Sequence, residues 1–214
     1  MPYILYYSPG AASMAVHWML REFNVAFETR LVDLETSEKR SAQYLQLNPS
    51  GRVTTLIIDG VPCGELAALL MLLAERHPEA GLALELASPE RRGWLQLMAY
   101  LANTVLPAMR GWFYAEVDGE EGDAAAVRAF SRKQIEASME RLDSVLGDGQ
   151  PFLGGNRLST ADFLGLLLMR WTRNMPRPAT SWPHLASYIH RLRATPGFAE
   201  LNRREGLTDW SESA

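Results

Sequence analysis

The stretch Asn48 to Pro78, NPSGRVTTLIIDGVPCGELAALLMLLAERHP, decides the fold of this chain. Asn48-Pro49-Ser50-Gly51 is turn chemistry, each residue favouring a tight reversal for its own backbone reason. Thr54 to Asp59 is β-branched and apolar and reads as a strand. Asp59-Gly60 is a strong hairpin dipeptide, because a tight turn needs positive φ where glycine bears it without strain. Val61 to Cys63 is then the returning strand. Glu65 to Arg76 carries a helical pattern, and His77-Pro78 stops it. The order is turn, strand, turn, strand, helix.

Upstream, Pro2 to Tyr7 is apolar and aromatic and reads as a buried strand. Ser8-Pro9-Gly10 breaks it, and Ala11 to Phe23 is helical, with Met14, His17, Trp18 and Arg21 on one face. Val25 to Leu34 contains a second strand, in which Phe27, Thr29 and Leu31 alternate with Glu28 and Arg30. Glu38 to Leu47 reads as a short helix. The sequence of elements up to Pro78 is thus β-α-β-α-β-β-α, a thioredoxin-like layout whose first crossover is right-handed.

Downstream, residues 79–88 form a mixed linker, after which strand signals vanish. Pro89 to Phe113 is helical, with Trp94, Met98, Leu101, Val105 and Met109 at helical spacing. An acidic, glycine-containing break over Gly119 to Asp123 precedes a long amphipathic helix, Asp123 to Leu146. On it Val127, Phe130, Ile135, Met139, Leu142 and Leu146 are read as one apolar face. Gly147 to Leu158 is a loop. Thr160 to Arg173 is apolar enough to be buried on most sides. Trp182 to Ala194 and Pro196 to Arg204 finish an all-α domain over residues 89–207, and residues 208–214 form a polar tail. The fold class expected is an α/β thioredoxin-like domain over residues 1–78 followed by an all-helical domain.

One helix start has a specific physical signature. Ser159 can cap the free amides of the first turn, and Asp162 can reach back to the Ser159 amide, a capping box with Asp in place of Glu. Leu158 and Phe163 occupy the flanking staple positions. The role is structural.

Composition limits the function classes. The chain has 214 residues, 47% of them hydrophobic, enough for a full core. Its formal charge of −4 gives no electrostatic reason to expect nucleic acid or an anionic membrane as partner. The N-terminal residues lack the basic and apolar regions of a signal peptide, and no run of about 18 apolar residues is present to span a bilayer. The single cysteine, Cys63, excludes an internal disulfide and a cysteine-based metal site, and it suits a reducing cytoplasm. His17, His77, His184 and His190 show no metal-ligand spacing and read as surface or helix-terminal residues. No metal is expected.

Three separated segments resemble one family, the glutathione S-transferases. The first, YYSPGAASMAVHWMLRE, is similar to the start of the bacterial beta class. In the second, Asn48, Pro49, Gly51, Arg52, Val53, Leu56, Asp59, Gly60 and Glu65 fit the family's ligand-binding block. The third is Gly155, Ser159, Ala161 and Asp162. The resemblance implies a cytoplasmic homodimer that binds glutathione as co-substrate and joins its thiolate to a small hydrophobic electrophile. It implies that Arg52 meets the glycyl carboxylate, Val53 pairs through its backbone with the cysteinyl part, and Glu65 and the Leu66 amide hold the γ-glutamyl end.

A free thiol ionises with a pKa of about 8.5, so a hydrogen-bond donor or a helix N-terminus near the sulfur is needed to populate the nucleophilic anion. Ser13 and Tyr7 are the candidate donors. The structural reading of Ser13 is a helix N-cap, and that of Tyr7 an aromatic core residue. Trp112, Phe113 and Tyr114 are either an electrophile wall or packing residues. Four positions depart from the family pattern. Ala12 replaces the beta-class cysteine, Thr54 the cis-proline, Leu66 a serine, and Leu106 a histidine before proline. The Val53-Thr54 bond is expected to be trans. These departures favour a weakened or altered glutathione site. The alternative function is a non-catalytic binding or interaction module, with isomerase or dehalogenase activity on the same fold as a third reading. Thiol-disulfide exchange through a C-x-x-C motif is excluded.

Overall fold

The computed structural model describes residues 3–34, 36, 41–118, 123–208 and 210. They form two units, Met1–Ala83 together with Arg193–Ala214, and Leu84–Leu192. The acidic residues 119–122 and the tail residues 211–214 lie outside the described residues, as do residues 38–40 at the start of the expected short helix.

The first unit is organised by strands β1 (Tyr3–Tyr7), β2 (Phe27–Leu31), β3 (Thr55–Ile58) and β4 (Val61–Cys63). They lie in the order β2-β1-β3-β4. β1 and β2 are parallel, with Tyr3 opposite Phe27 and Tyr7 opposite Leu31. β3 runs antiparallel to β1, with Tyr6 opposite Thr55, and β4 returns along β3 from the Asp59-Gly60 turn. Helix α1 (Ser13–Glu22) makes the crossover between the parallel strands, α2 (Ala42–Leu47) follows β2, and α3 (Leu66–Arg76) follows the hairpin. Leu5 and Leu56 at the sheet centre and Met19, Leu20, Leu70 and Leu73 on α1 and α3 are fully buried.

The second strand differs from its sequence reading. Glu28, Thr29, Arg30 and Leu31 are all exposed, because β2 is the sheet edge. Charged side chains on an edge discourage pairing with another chain.

In the second unit the helix expected over Pro89–Phe113 is interrupted. α4 (Arg91–Tyr100) passes through a π-helical turn, Leu101–Val105, into α5 (Leu106–Phe113). Pro107 lacks an amide proton and its ring would strike the carbonyl one turn back, so the wider turn ahead of it relieves a clash that a regular α-helix would suffer. Trp94, Met98, Leu101, Val105 and Met109 are all buried, as their spacing required.

α6 (Ala115–Asp118), α7 (Ala124–Gly147), α8 (Thr160–Trp171) and α9 (Pro183–Arg193) follow. On α7 the buried side chains are Ser131, Ile135, Ser138, Met139, Leu142 and Leu146, whereas Phe130 is 63% exposed. Phe130 therefore does not belong to the face assigned to it. It lies five residues before Ile135, and the 4-3-4 spacing of the buried set begins one residue later, about 100° around the helix.

α8 is buried from Thr160 through Arg170. Its capping box forms. Asp162 also accepts from the Leu153 amide at 2.8 Å and from the Tyr188 hydroxyl at 2.7 Å, while the Ser159 amide and hydroxyl reach its other oxygen at 2.8 and 3.0 Å. Burial pushes the Asp162 carboxyl up, and these four donors oppose the shift. Replacing Asp162 by Ala strands two buried amides. Asp162→Ala should lower stability by about 2–3 kcal/mol in urea unfolding, and Ser159→Ala by about 1 kcal/mol.

The last helix, α10 (Pro196–Glu205), was counted with the helical segment by sequence position. It packs on α1 and belongs to the first unit. Gly197 permits this: a Cβ there would lie 1.9 Å from Glu22 Oε1. Next to it Phe198 meets the Trp18 ring edge-on at 5.2 Å.

Candidate functional site

The Asn48–Arg52 turn is held by a small polar network. The Asn48 side-chain amide donates to the Arg52 carbonyl at 2.8 Å and to the Thr55 hydroxyl at 3.1 Å, and its oxygen accepts from the Ser50 amide at 3.1 Å. Tyr44, whose hydroxyl burial holds above its usual pKa, donates to the same Arg52 carbonyl at 2.9 Å. Gly51 sits at φ 61°, a left-handed conformation that costs other residues energy. The backbone carrying Arg52 and Val53 is thus fixed from beneath, and the Arg52 side chain is exposed.

Glu65 and Leu66 form the second element. Glu65 has φ 62° and ψ 99°, unusual for a residue with a side chain. Such strain clusters at ligand sites. No side chain caps α3. The amides of the first turn of α3, that of Leu66 among them, have no acceptor within the helix and are donors of the kind that bind carboxylates.

The third element is the β1–α1 connection. Ser13 is fully buried, and its hydroxyl accepts from the Ser8 amide at 3.1 Å and donates to the Ser8 carbonyl at 3.2 Å. Ser13 is not the N-cap; Ala12 is, and it offers no side-chain cap. The Tyr7 ring is half-buried and meets the His17 ring edge-on at 5.8 Å. Among the described residues no hydrogen-bond partner is found for the Tyr7 hydroxyl. Cys63 is a half-buried free thiol on β4.

Sequence reasoning missed the group beneath this connection. Glu205 on α10 accepts from the Gly10 amide at 2.8 Å with one oxygen and from His17 Nδ1 at 2.8 Å with the other. Both side chains are buried, so His17 is neither a surface nor a helix-terminal histidine. A carboxylate only accepts, which makes Nδ1 the protonated nitrogen. The one available signal was Gly206, whose left-handed φ of 66° ends α10 right after Glu205.

The departures are visible too. The described residues contain no cis peptide, so Val53-Thr54 is trans. Thr54 is 6% exposed, and its buried hydroxyl has no hydrogen-bond partner among the described residues. Leu106 is half-buried at the start of α5, in the second unit. There Phe113 and Tyr114 are exposed, and Phe113 meets Trp171 edge-on at 6.1 Å.

Comparison with known proteins places this geometry. The model of the glutathione S-transferase N-terminal domain matches residues 1–68, and that of the C-terminal domain residues 105–203. A glutathione transferase from Methylococcus capsulatus is 30% identical, with 95% of this chain and 98% of that one covered and a TM-score of 0.84. The chain belongs to the glutathione S-transferase family. The beta-class enzyme of Sphingomonas chungbukensis is 28% identical, covering 96% of this chain and 100% of that one, with a TM-score of 0.83. A sphingomonad glutathione S-transferase complexed with glutathione gives the same identity, coverage and TM-score. Among the described residues no helix is long and apolar enough to cross a membrane.

Two substitutions read this part of the transferase fold. Glu205→Gln keeps the shape but supplies only one acceptor oxygen for two donors, the buried His17 Nδ1 and the half-buried Gly10 amide. It should lower the unfolding midpoint, equivalent to about 1–2 kcal/mol, and speed hydrogen exchange at Gly10. Thr54→Val removes an unpaired hydroxyl with little change in shape and should raise stability by about 1 kcal/mol in the same assay.

Proposed function

We propose that this transferase binds glutathione on its first unit and joins the thiolate to a small hydrophobic electrophile, with Tyr7 as the side-chain donor to the sulfur. The observation carrying the choice is the contrast between the two candidate hydroxyls. Ser13 is buried and bonded twice to Ser8, while among the described residues no hydrogen-bond partner is found for the hydroxyl of half-buried Tyr7. The sphingomonad relative complexed with glutathione supports the co-substrate.

In this reading Arg52 meets the glycyl carboxylate, and the Val53 backbone meets the cysteinyl part. Glu65 pairs with the γ-glutamyl ammonium, and the Leu66 amide donates to the adjoining carboxylate in place of a serine hydroxyl. The uncapped first turn of α1 adds its dipole at the thiol end. On binding, the sulfur–proton bond breaks and the proton passes to solvent. The Tyr7 hydroxyl and the helix amides stabilise the sulfur anion. The anion forms a bond to the electrophilic carbon as the leaving group departs with its electron pair. Ala12 supplies no thiol, so a mixed disulfide at that position has no place in the scheme. The family resemblance supports a homodimer and a cytoplasmic setting.

Calorimetry with glutathione and turnover of an aryl halide test this. Tyr7→Phe should lower kcat roughly 10- to 100-fold while leaving glutathione affinity within about threefold. Ser13→Ala should act on stability first. Absence of glutathione binding at millimolar concentration would overturn the reading and favour a non-catalytic module.

A further inference from the structure

We propose that a cavity confined to the helical unit binds a multiply charged organic anion of about nucleotide size, independently of glutathione. The cavity lies among the start of α4, the last turns of α7 and the loop over residues 150–157, and its volume is about 870 Å³. Small-molecule sites commonly span about 300–1,000 Å³.

Its charge is the first observation. Arg92, Arg141 and Arg157 line it, and among the described residues Glu90 is the one carboxylate in its lining. Three guanidiniums against one carboxylate leave an excess of two positive charges, in a chain whose formal charge is −4. Among the described residues none of the three arginines makes a close ion pair, although Arg157 is near enough to help hold the Glu90 carboxyl below its usual range, after the Ser88 hydroxyl. Glu90 is itself occupied by the Ser88 hydroxyl. The Arg141 guanidinium lies 4.2 Å from the Tyr100 ring centroid, and the Tyr100 hydroxyl is fixed to Ser138 at 2.9 Å. Stacking of this kind orients a guanidinium while leaving its edge donors free for a bidentate acceptor.

The walls are the second observation, because they are built rather than loose. Arg91 donates to the Leu84 carbonyl and lies over the Trp94 ring at 5.3 Å, tying the linker to α4. Trp94, which lines the cavity, donates from Nε1 to the Thr160 hydroxyl at 3.0 Å. The opposite wall closes on itself, as Phe152 and Gly155 exchange amide-to-carbonyl bonds of 3.1 Å. The Leu153 amide anchors that wall to Asp162. The cavity is thus fastened to the capping box of the central helix. Leu97, Val145 and Leu153 add an apolar lining, which suits an organic body better than an inorganic ion.

The test is calorimetry on the full chain at low salt with saturating glutathione present. The probes are metal-free adenosine triphosphate, inorganic pyrophosphate for charge alone, and adenosine for the body alone. Adenosine triphosphate should bind with a Kd on the order of micromolar, tighter than either other probe, and weaken as salt rises. Arg92 and Arg157 are exposed, so Arg92→Ala with Arg157→Ala should fold. That pair should weaken the nucleotide roughly tenfold or more and leave glutathione binding unchanged. Absence of nucleotide binding at millimolar concentration would overturn the proposal, as would an affinity the double variant leaves intact or adenosine binding as tightly. Because glutathione binding is read separately, failure here leaves the transferase reading standing.

Discussion

The first unit depends on one buried carboxylate. Glu205 arrives from the far end of the chain and joins the Gly10 amide to the His17 imidazole with two bonds of 2.8 Å. Burying a charge is expensive unless its partners are in place, so the contact is close to all-or-none. It does three things together. It satisfies an amide in the turn that ends β1, fixes the imidazole against which Tyr7 and Phe27 pack edge-on, and docks α10 along α1. Gly197 and Phe198 seat the other end of α10 beside Glu22 and Trp18, so the two helices run antiparallel. The turn before α1 is therefore held from below by a residue nearly two hundred positions away.

The segment from Asn48 to Thr55 is held by a different device. Tyr44 and Asn48 converge on one carbonyl, that of Arg52, and on the Thr55 hydroxyl. This supports the segment that carries Arg52 and Val53 without using either side chain. Among the described residues the buried Thr54 hydroxyl has no hydrogen-bond partner, and a buried polar group of that kind typically costs about 1–3 kcal/mol. Ala12 leaves the start of α1 without a thiol, while Ser8, Gly10 and Ala11 in the turn before it are held by hydrogen bonds.

Much of this was legible because local rules acted without competition. The Asp59-Gly60 hairpin, the helix stop at His77-Pro78 and the Ser159–Asp162 box each follow from the chemistry of a few adjacent residues. Misreadings arose where tertiary position decides. Phe130 looked like a core residue because aromatic bulk outweighs a one-residue error in phase. β2 alternates correctly, yet an edge strand has less to bury. His17 and Glu205 could not be paired from spacing, since nothing local links a histidine on the first helix to a glutamate on the last. The double engagement of Ser13 by Ser8 was hidden for a similar reason, as a hydroxyl at a helix start reads as a cap whichever way it turns.

Under the proposed function, glutathione docks on the first unit along the Arg52–Val53 segment, the start of α3 and the turn before α1. An amide-proton NMR titration of the whole chain with glutathione tests it most directly. Saturable shifts at Val53, Leu66 and the amides from Gly10 to Ser13 are the predicted result. Shifts confined to the helical unit, or none at millimolar glutathione, would contradict it.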